Sequence, residues 1–218
     1  MNNYSGVIEL EITSKCTLFC LECPRTKDPN EQNNKWKFGE LSIRTFENLI
    51  KSIPKSTVLI FSGGYGDPIY HSKFIEIVDL CKQYEIKIVV NTNGSYRSES
   101  WWNMLASTIG PKGIFVFSVD GLEDTNHLYR INADWNSIML GMNIMAKKAA
   151  CTIEWKFIVF KHNQHQIEKA YRLSRKIGVE SFQIIKSNRL PKGMEPTIDF
   201  NILLDNLKKL SNEYDNRS

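Results

Sequence analysis

Three cysteines fall within eight residues, Cys16-Thr17-Leu18-Phe19-Cys20-Leu21-Glu22-Cys23, directly after the alternating run Val7-Ile8-Glu9-Leu10-Glu11-Ile12-Thr13. Gaps of three and two residues let one loop bring three thiolates onto a compact centre, and soft sulfur ligands select zinc, copper(I) or iron–sulfur. A structural zinc site closes its tetrahedron with four protein ligands, usually two close pairs far apart in sequence. The second pair is missing here: Cys81 sits in a helical stretch and Cys151 at a helix-to-strand junction, neither in ligand spacing with a His or another Cys. A cubane normally takes four cysteines, so three would leave one iron open, and a three-ligand iron–sulfur cluster is the better fit to this loop.

Something must hold such a loop, and the hydrophobic pattern says what. Short β-branched or aromatic runs alternate with longer helical ones, the order of a parallel sheet with helices outside. Strands are expected near 6–13, 57–62, 86–91, 114–119, 153–160 and 181–186. Helices are expected near 42–53, 71–84, 98–108, 134–149, 164–177 and 199–213, with apolar residues at three- and four-residue spacing. In the second helix Phe74, Ile77, Val78 and Cys81 form one such stripe, which makes Cys81 a small core residue. The polar and glycine-rich residues follow the strands: the cysteines after the first, Ser62-Gly63-Gly64 after the second, Asn91-Thr92-Asn93-Gly94 after the third, Ser118-Val119-Asp120-Gly121 after the fourth. In parallel β/α barrels function gathers at those carboxyl ends.

The Cys-x3-Cys-x2-Cys loop after a first strand, with Gly63-Gly64-Tyr65-Gly66-Asp67-Pro68 after a second, resembles the radical S-adenosylmethionine (SAM) superfamily over roughly residues 6 to 186. The resemblance implies a partial (β/α)6 TIM-like barrel of the α/β class, open on one side. It implies that Cys16, Cys20 and Cys23 bind one [4Fe-4S] cluster whose unique iron is chelated by SAM. Reductive cleavage of SAM then gives a 5′-deoxyadenosyl radical that abstracts hydrogen from a substrate. It carries contact with the SAM amino group to Gly63, Gly64 and Asp67, although Gly-Gly-Tyr-Gly-Asp-Pro departs from the family's Gly-Gly-Glu-Pro. It carries SAM binding to Ser118 and Asp120, which lie two apart and would share a strand face. Arg130 becomes the candidate for the SAM carboxylate, for which a guanidinium offers a planar two-donor fork. Asn93 becomes the candidate for the ribose hydroxyls. Glu22 departs from the pattern too, standing where the family has an aromatic or apolar residue near the adenine.

Other residues read from the sequence alone. Glu154 and Lys156 interrupt one face of the otherwise apolar fifth strand, and charged residues are rarely buried unpaired. If that face looks into the barrel, they pair with each other or with a polar ligand, and Lys156 is the candidate substrate contact. His162 and His165 read as capping and surface residues, and the tryptophans as packing aromatics. The polar segment Arg25 to Gly39 reads as a long loop beside the cysteines. Leu190-Pro191-Lys192-Gly193-Met194-Glu195-Pro196 reads as a linker to a last amphipathic helix, so residues 1–190 are expected to form the barrel core and 191–218 the linker and a helix packed on it.

The chain has 218 residues, 42% hydrophobic and 24% charged, which suits one well-buried core. No run approaches the ~18 apolar residues of a membrane span, and the first residues lack a signal sequence. Five cysteines, three of them clustered, argue against a disulfide framework and for a reducing, cytoplasmic setting. A net charge of +4 with scattered Lys and Arg is no nucleic-acid footprint. The expected partners are a flavodoxin- or ferredoxin-like electron donor and a peptide or small-molecule substrate. No cysteine follows Cys151, so no auxiliary cluster is expected. Two other readings stand beside this one: a non-catalytic zinc or iron–sulfur module serving as a partner platform, and a relative that binds SAM without radical chemistry.

Overall fold

The computed structural model describes residues 6–28 and 37–215. The middle of the polar segment after the cysteines, residues 29–36, lies outside the described residues. The sheet has six strands in the order β1-β2-β3-β4-β5-β6, all neighbouring pairs parallel. They are β1 (Val7–Leu10), β2 (Val58–Phe61), β3 (Lys87–Thr92), β4 (Gly113–Ser118), β5 (Thr152–Ile158) and β6 (Ser181–Ile185). The helices in chain order are α1 (Pro24–Lys27), α2 (Ile43–Ser52), α3 (Phe74–Gln83), α4 (Glu99–Thr108), α5 (Asn126–Tyr129), α6 (Trp135–Lys148), α7 (Ile167–Ile177) and α8 (Phe200–Asp215). The α/β class and the open (β/α)6 partial barrel expected from the sequence are what the chain forms.

From β2 to β6 each strand is buried on its helix-facing side and mostly half-buried on the other, while the edge strand β1 is half-buried at Ile8 and Leu10 and exposed at Val7 and Glu9. Leu59 and Phe61 of β2 point to the helices, where Phe61 meets Phe46 of α2 and Phe74 of α3 at ring distances of 6.0 and 6.3 Å. Phe115 and Phe117 of β4 pack on Trp102 of α4. A Cβ on Gly141 of α6 would stand 2.4 Å from the Trp102 ring, so only glycine lets α6 close on α4 there. Cys81 and Cys151 lie in this core, as the apolar stripe implies for Cys81. Helix starts are set by polar caps: Ser42 accepts from Thr45 N, Ser98 from Trp101 N, and Asp134 from Ser137 N. Among the described residues no helix is long and apolar enough to cross a membrane.

The departures from the expected boundaries have local causes. β1 ends at Leu10 rather than 13, because Thr13 leaves the sheet and bridges antiparallel to Glu40. β5 stops at Ile158 because the Asn163 side chain donates to the Ile158 carbonyl (2.9 Å) and accepts from Phe160 N (2.7 Å), taking backbone groups a longer ladder would use. α1 and α5, four residues each, are too short to show a helical period.

Candidate functional site

Cys16 and Cys20 lie on the loop leaving β1, and Cys23 caps α1, with Pro24 in the first helical position. The loop is fastened from several sides. Phe19 N donates to Ile131 O (3.0 Å), Leu21 N to Tyr129 O (3.2 Å), and Asp67 N to Lys15 O (2.8 Å). Thr17 is gripped at both ends: the Asn132 amide donates to its carbonyl (2.7 Å), and its hydroxyl meets Tyr70 Oη at 2.9 Å. Arg25, buried beneath the loop, donates to Leu18 O and lies over the Phe19 ring at 5.2 Å.

The three thiols line one cavity of about 220 Å³ together with Gly63, Gly64, Asp67, Asn93, Ser118 and Arg130. Burial pushes the Cys16 thiol up to about 12, with Asp67 adding to the shift. Burial also raises the Cys20 thiol, against the pull of the nearby Arg130 charge. Such thiols release protons when a metal centre takes them. Donors already face the sulfurs: Leu18 N stands 3.5 Å and Asn93 Nδ2 3.6 Å from Cys16 Sγ. Among the described residues no three His, Cys, Asp or Glu side chains close on a point that one metal ion could hold. Three thiols line one cavity, and the other two cysteines are buried in the core.

The segment after β2 is zipped to the cysteine loop. Gly64 N and Ser62 Oγ donate to Glu11 Oε1 at 2.7 and 3.1 Å, and Cys23 Sγ lies 3.7 Å from Gly64 O. A Cβ on Gly66 would fall 2.0 Å from Thr13 O, so this glycine is what lets the two loops touch. Asp67 is buried, and its carboxylate accepts from Ile69 N (3.1 Å), Thr92 Oγ1 (2.9 Å) and Asn93 N (2.6 Å), and from the Asn93 amide. Burial lifts its carboxyl to about 6 against those hydrogen bonds and the Arg130 charge. Asp67 thus anchors the loop after β3, and Asn93 links it to Cys16.

Ser118 and Asp120, expected on one face, part company because β4 ends at Ser118 and the period of two does not run on. Ser118 lines the cavity. Asp120 is fully buried behind it, with Oδ2 2.7 Å from Arg130 Nε and Oδ1 accepting from Ile158 N (2.7 Å). Burial raises its carboxyl and the Arg130 charge lowers it. Arg130 lines the cavity with its Nε held in this way. Lys156 is on the inner face of β5, on one rung with Ser118 and Gln183, but does not line the cavity. It does not pair with Glu154, which accepts from Gln183 Nε2 at 3.3 Å. Glu22, the departure noted above, lines the cavity and pairs with Lys27.

Several site residues carry no sequence signal of their own. Tyr129, Ser187 and Arg189 line the cavity from segments remote in sequence. Tyr96 (φ 59°) and Asn132 (φ 71°) both adopt left-handed backbone, and Tyr96 Oη donates to Asn132 O at 2.8 Å. Two strained residues thus meet where Asn132 reaches the cysteine loop, and such strain is characteristic of functional sites.

Known proteins resemble this chain in sequence and in fold. The chain is 24% identical over 205 residues to the tungsten-containing aldehyde ferredoxin oxidoreductase cofactor-modifying protein of Pyrococcus furiosus, covering 87% of this chain and 53% of that protein. It is 21% identical over 169 residues to the mycofactocin maturase MftC of Mycobacterium tuberculosis, covering 77% of this chain and 41% of that one. The chain therefore spans about half the length of these curated relatives. Among solved structures it superposes on Streptococcus suis SuiB bound to S-adenosylmethionine with a TM-score of 0.68 at 14% identity, over 96% of this chain and 46% of SuiB. SuiB bound to its precursor peptide SuiA gives 0.72 at 11% identity, again over 96% and 46%. These structural likenesses show the fold. The family model of the radical SAM superfamily matches residues 10–185, from the end of β1 to the end of β6, and the chain belongs to that superfamily.

Proposed function

We propose that this chain is a radical SAM enzyme in which Cys16, Cys20 and Cys23 hold one [4Fe-4S] cluster and the adjoining cavity holds SAM. The observation that carries this reading is the meeting of three thiols with the strand-end loops of β2, β3 and β4 on one cavity. When bound, the pair supplies one-electron reductive cleavage of SAM to methionine and a 5′-deoxyadenosyl radical, which takes a hydrogen atom from the substrate. The chain's residues bind, orient and shield. The Gly64 carbonyl, which faces the Cys23 thiol, loses that donor once Cys23 is a thiolate and is then open to the SAM ammonium. Gly63 offers main-chain groups beside it. Asp120 fixes Arg130 Nε, so that the terminal guanidinium nitrogens serve the SAM carboxylate. Asp67 positions Asn93, and Asn93 and Ser118 take SAM hydroxyls.

The substrate we favour is a peptide side chain, with a small metabolite as the other class; SuiB, of the same fold, has been solved with its precursor peptide. The electron comes from a flavodoxin- or ferredoxin-like donor in a reducing, cytoplasmic setting. The test is anaerobic reconstitution with iron and sulfide, then dithionite and SAM, reading 5′-deoxyadenosine by mass spectrometry beside a Cys16/Cys20/Cys23→Ala control. Cysteine-dependent 5′-deoxyadenosine is the expected result. A colourless, zinc-loaded protein that leaves SAM intact overturns it and favours the binding-module reading.

A further inference from the structure

The cavity has a wall that these assignments leave largely unused. On the side of β4, β5 and β6 it is lined by Ser118, Tyr129, Arg130, Ile158, Ser187 and Arg189. Arg130 is balanced by Asp120. Arg189 has no carboxylate partner among the described residues. Its backbone is held in a tight turn, with Arg189 N donating to Ser187 Oγ (3.0 Å) and Ser187 Oγ donating to Arg189 O (3.2 Å). The side chain is near enough to Tyr129 for its charge to act on that phenol. Glu9 of β1 and Glu11 just after it lie at the opposite edge of the sheet, where Glu11 accepts from Ser62 Oγ and Gly64 N.

Arg189 is a cation on one wall of a concave site with no ion pair among the described residues, and the acids that line the same cavity, Glu22 and Asp67, are held by Lys27 and by Thr92 and Asn93; such a cation raises the local concentration of anions beside it. The SAM carboxylate already has Arg130. We infer that this wall is an anion subsite formed by Arg189 and Tyr129, and that the substrate docks a carboxylate or phosphate there. The guanidinium supplies a two-donor fork and the phenol a further donor. The word substrate rests on the function proposed above; the anion subsite itself rests on the cavity.

The experiment uses the reconstituted chain, first without SAM and then saturated with it, and reads saturation-transfer NMR of glutarate, phenylphosphonate and neutral glutaramide. Loss of a charge-assisted hydrogen bond is worth roughly tenfold in affinity. Glutarate or phenylphosphonate is expected to bind roughly tenfold more tightly than glutaramide, to lose about that factor in Arg189→Gln, and to regain part of it in Arg189→Lys. The stronger of the two anions names the group. Lys192→Gln, outside the cavity lining, is expected to match the wild type. Equal binding of the neutral amide, unchanged binding in Arg189→Gln, or loss of anion binding when SAM is added overturns the inference, the last because the wall would then belong to SAM. In the same preparation 5′-deoxyadenosine is measured without substrate. A preparation that cleaves no SAM yet binds anions through Arg189 refutes the radical function and supports the subsite, so the two failures are distinguishable.

Discussion

Removing Arg130 leaves the Asp120 carboxylate buried at 0% exposure with one cationic partner gone. Breaking a buried ion pair from one side costs about 3–5 kcal/mol, whereas removing both charges costs far less. Arg130→Met is therefore expected to lose stability on that scale in urea unfolding, and Arg130→Met/Asp120→Asn to recover a large part of it. A double variant no more stable than the single one would mean that the Ile158 N–H, not Arg130, is what Asp120 serves. Asn132 allows a second residue-level prediction, because its backbone and side-chain roles can be separated. Glycine keeps the left-handed backbone and loses the amide that grips Thr17 O, while alanine loses both. Left-handed backbone costs an alanine about 1–2 kcal/mol, so Asn132→Ala is expected to be less stable than Asn132→Gly. Both variants are expected to lose iron to a chelator faster than the wild type after reconstitution. Wild-type iron retention in Asn132→Gly would remove Asn132 from the support of the cysteine loop.

The cysteine loop and the turn after β2 make one unit through Gly66. With a Cβ 2.0 Å from Thr13 O and backbone rather than a flexible side chain in the way, Gly66→Ala must push the loops apart. Overpacking of this kind costs about 1–3 kcal/mol or more. At Gly63 the nearest atom is 3.2 Å away, so Gly63→Ala is expected to shift the melting temperature less than Gly66→Ala; equal shifts would mean that the loops are not in contact. These elements show how far the sequence could be read. The cysteines are legible because their contact is local in the chain, and the strand ends because alternation in a parallel barrel sends Ser118 and Asn93 to the same rim. Gly66 reads only as a turn residue, since what it touches lies more than fifty positions away. Asp120 was misplaced because the period of two holds only while the ladder does, and β4 ends two residues earlier. Tyr129, Asn132 and Arg189 are ordinary residues on connections, and only folding gives them a shared cavity.

At the scale of the whole molecule, the open barrel leaves β1 and β6 as sheet edges among the described residues, so the helices must supply the stability that closure would give. α8 follows the last strand and lies against α7: Leu203 is buried, Leu204, Leu207 and Leu210 pack on the core, and Tyr214 meets Tyr171 of α7 edge-on at 6.5 Å. Full burial of each leucine is worth about 1.5–3 kcal/mol, so four partly to fully buried leucines contribute an amount comparable with the 5–15 kcal/mol by which a domain is stable. The same helix lies far along the chain from the cysteines and contributes no residue to the cavity lining. Truncation after residue 195 is therefore expected to lower the melting temperature strongly and to expose apolar surface to a hydrophobic dye, even where the cysteine loop is unaltered. A truncated chain that melts like the full chain and binds no dye would show residues 6–195 to be a self-sufficient barrel and α8 an appendage.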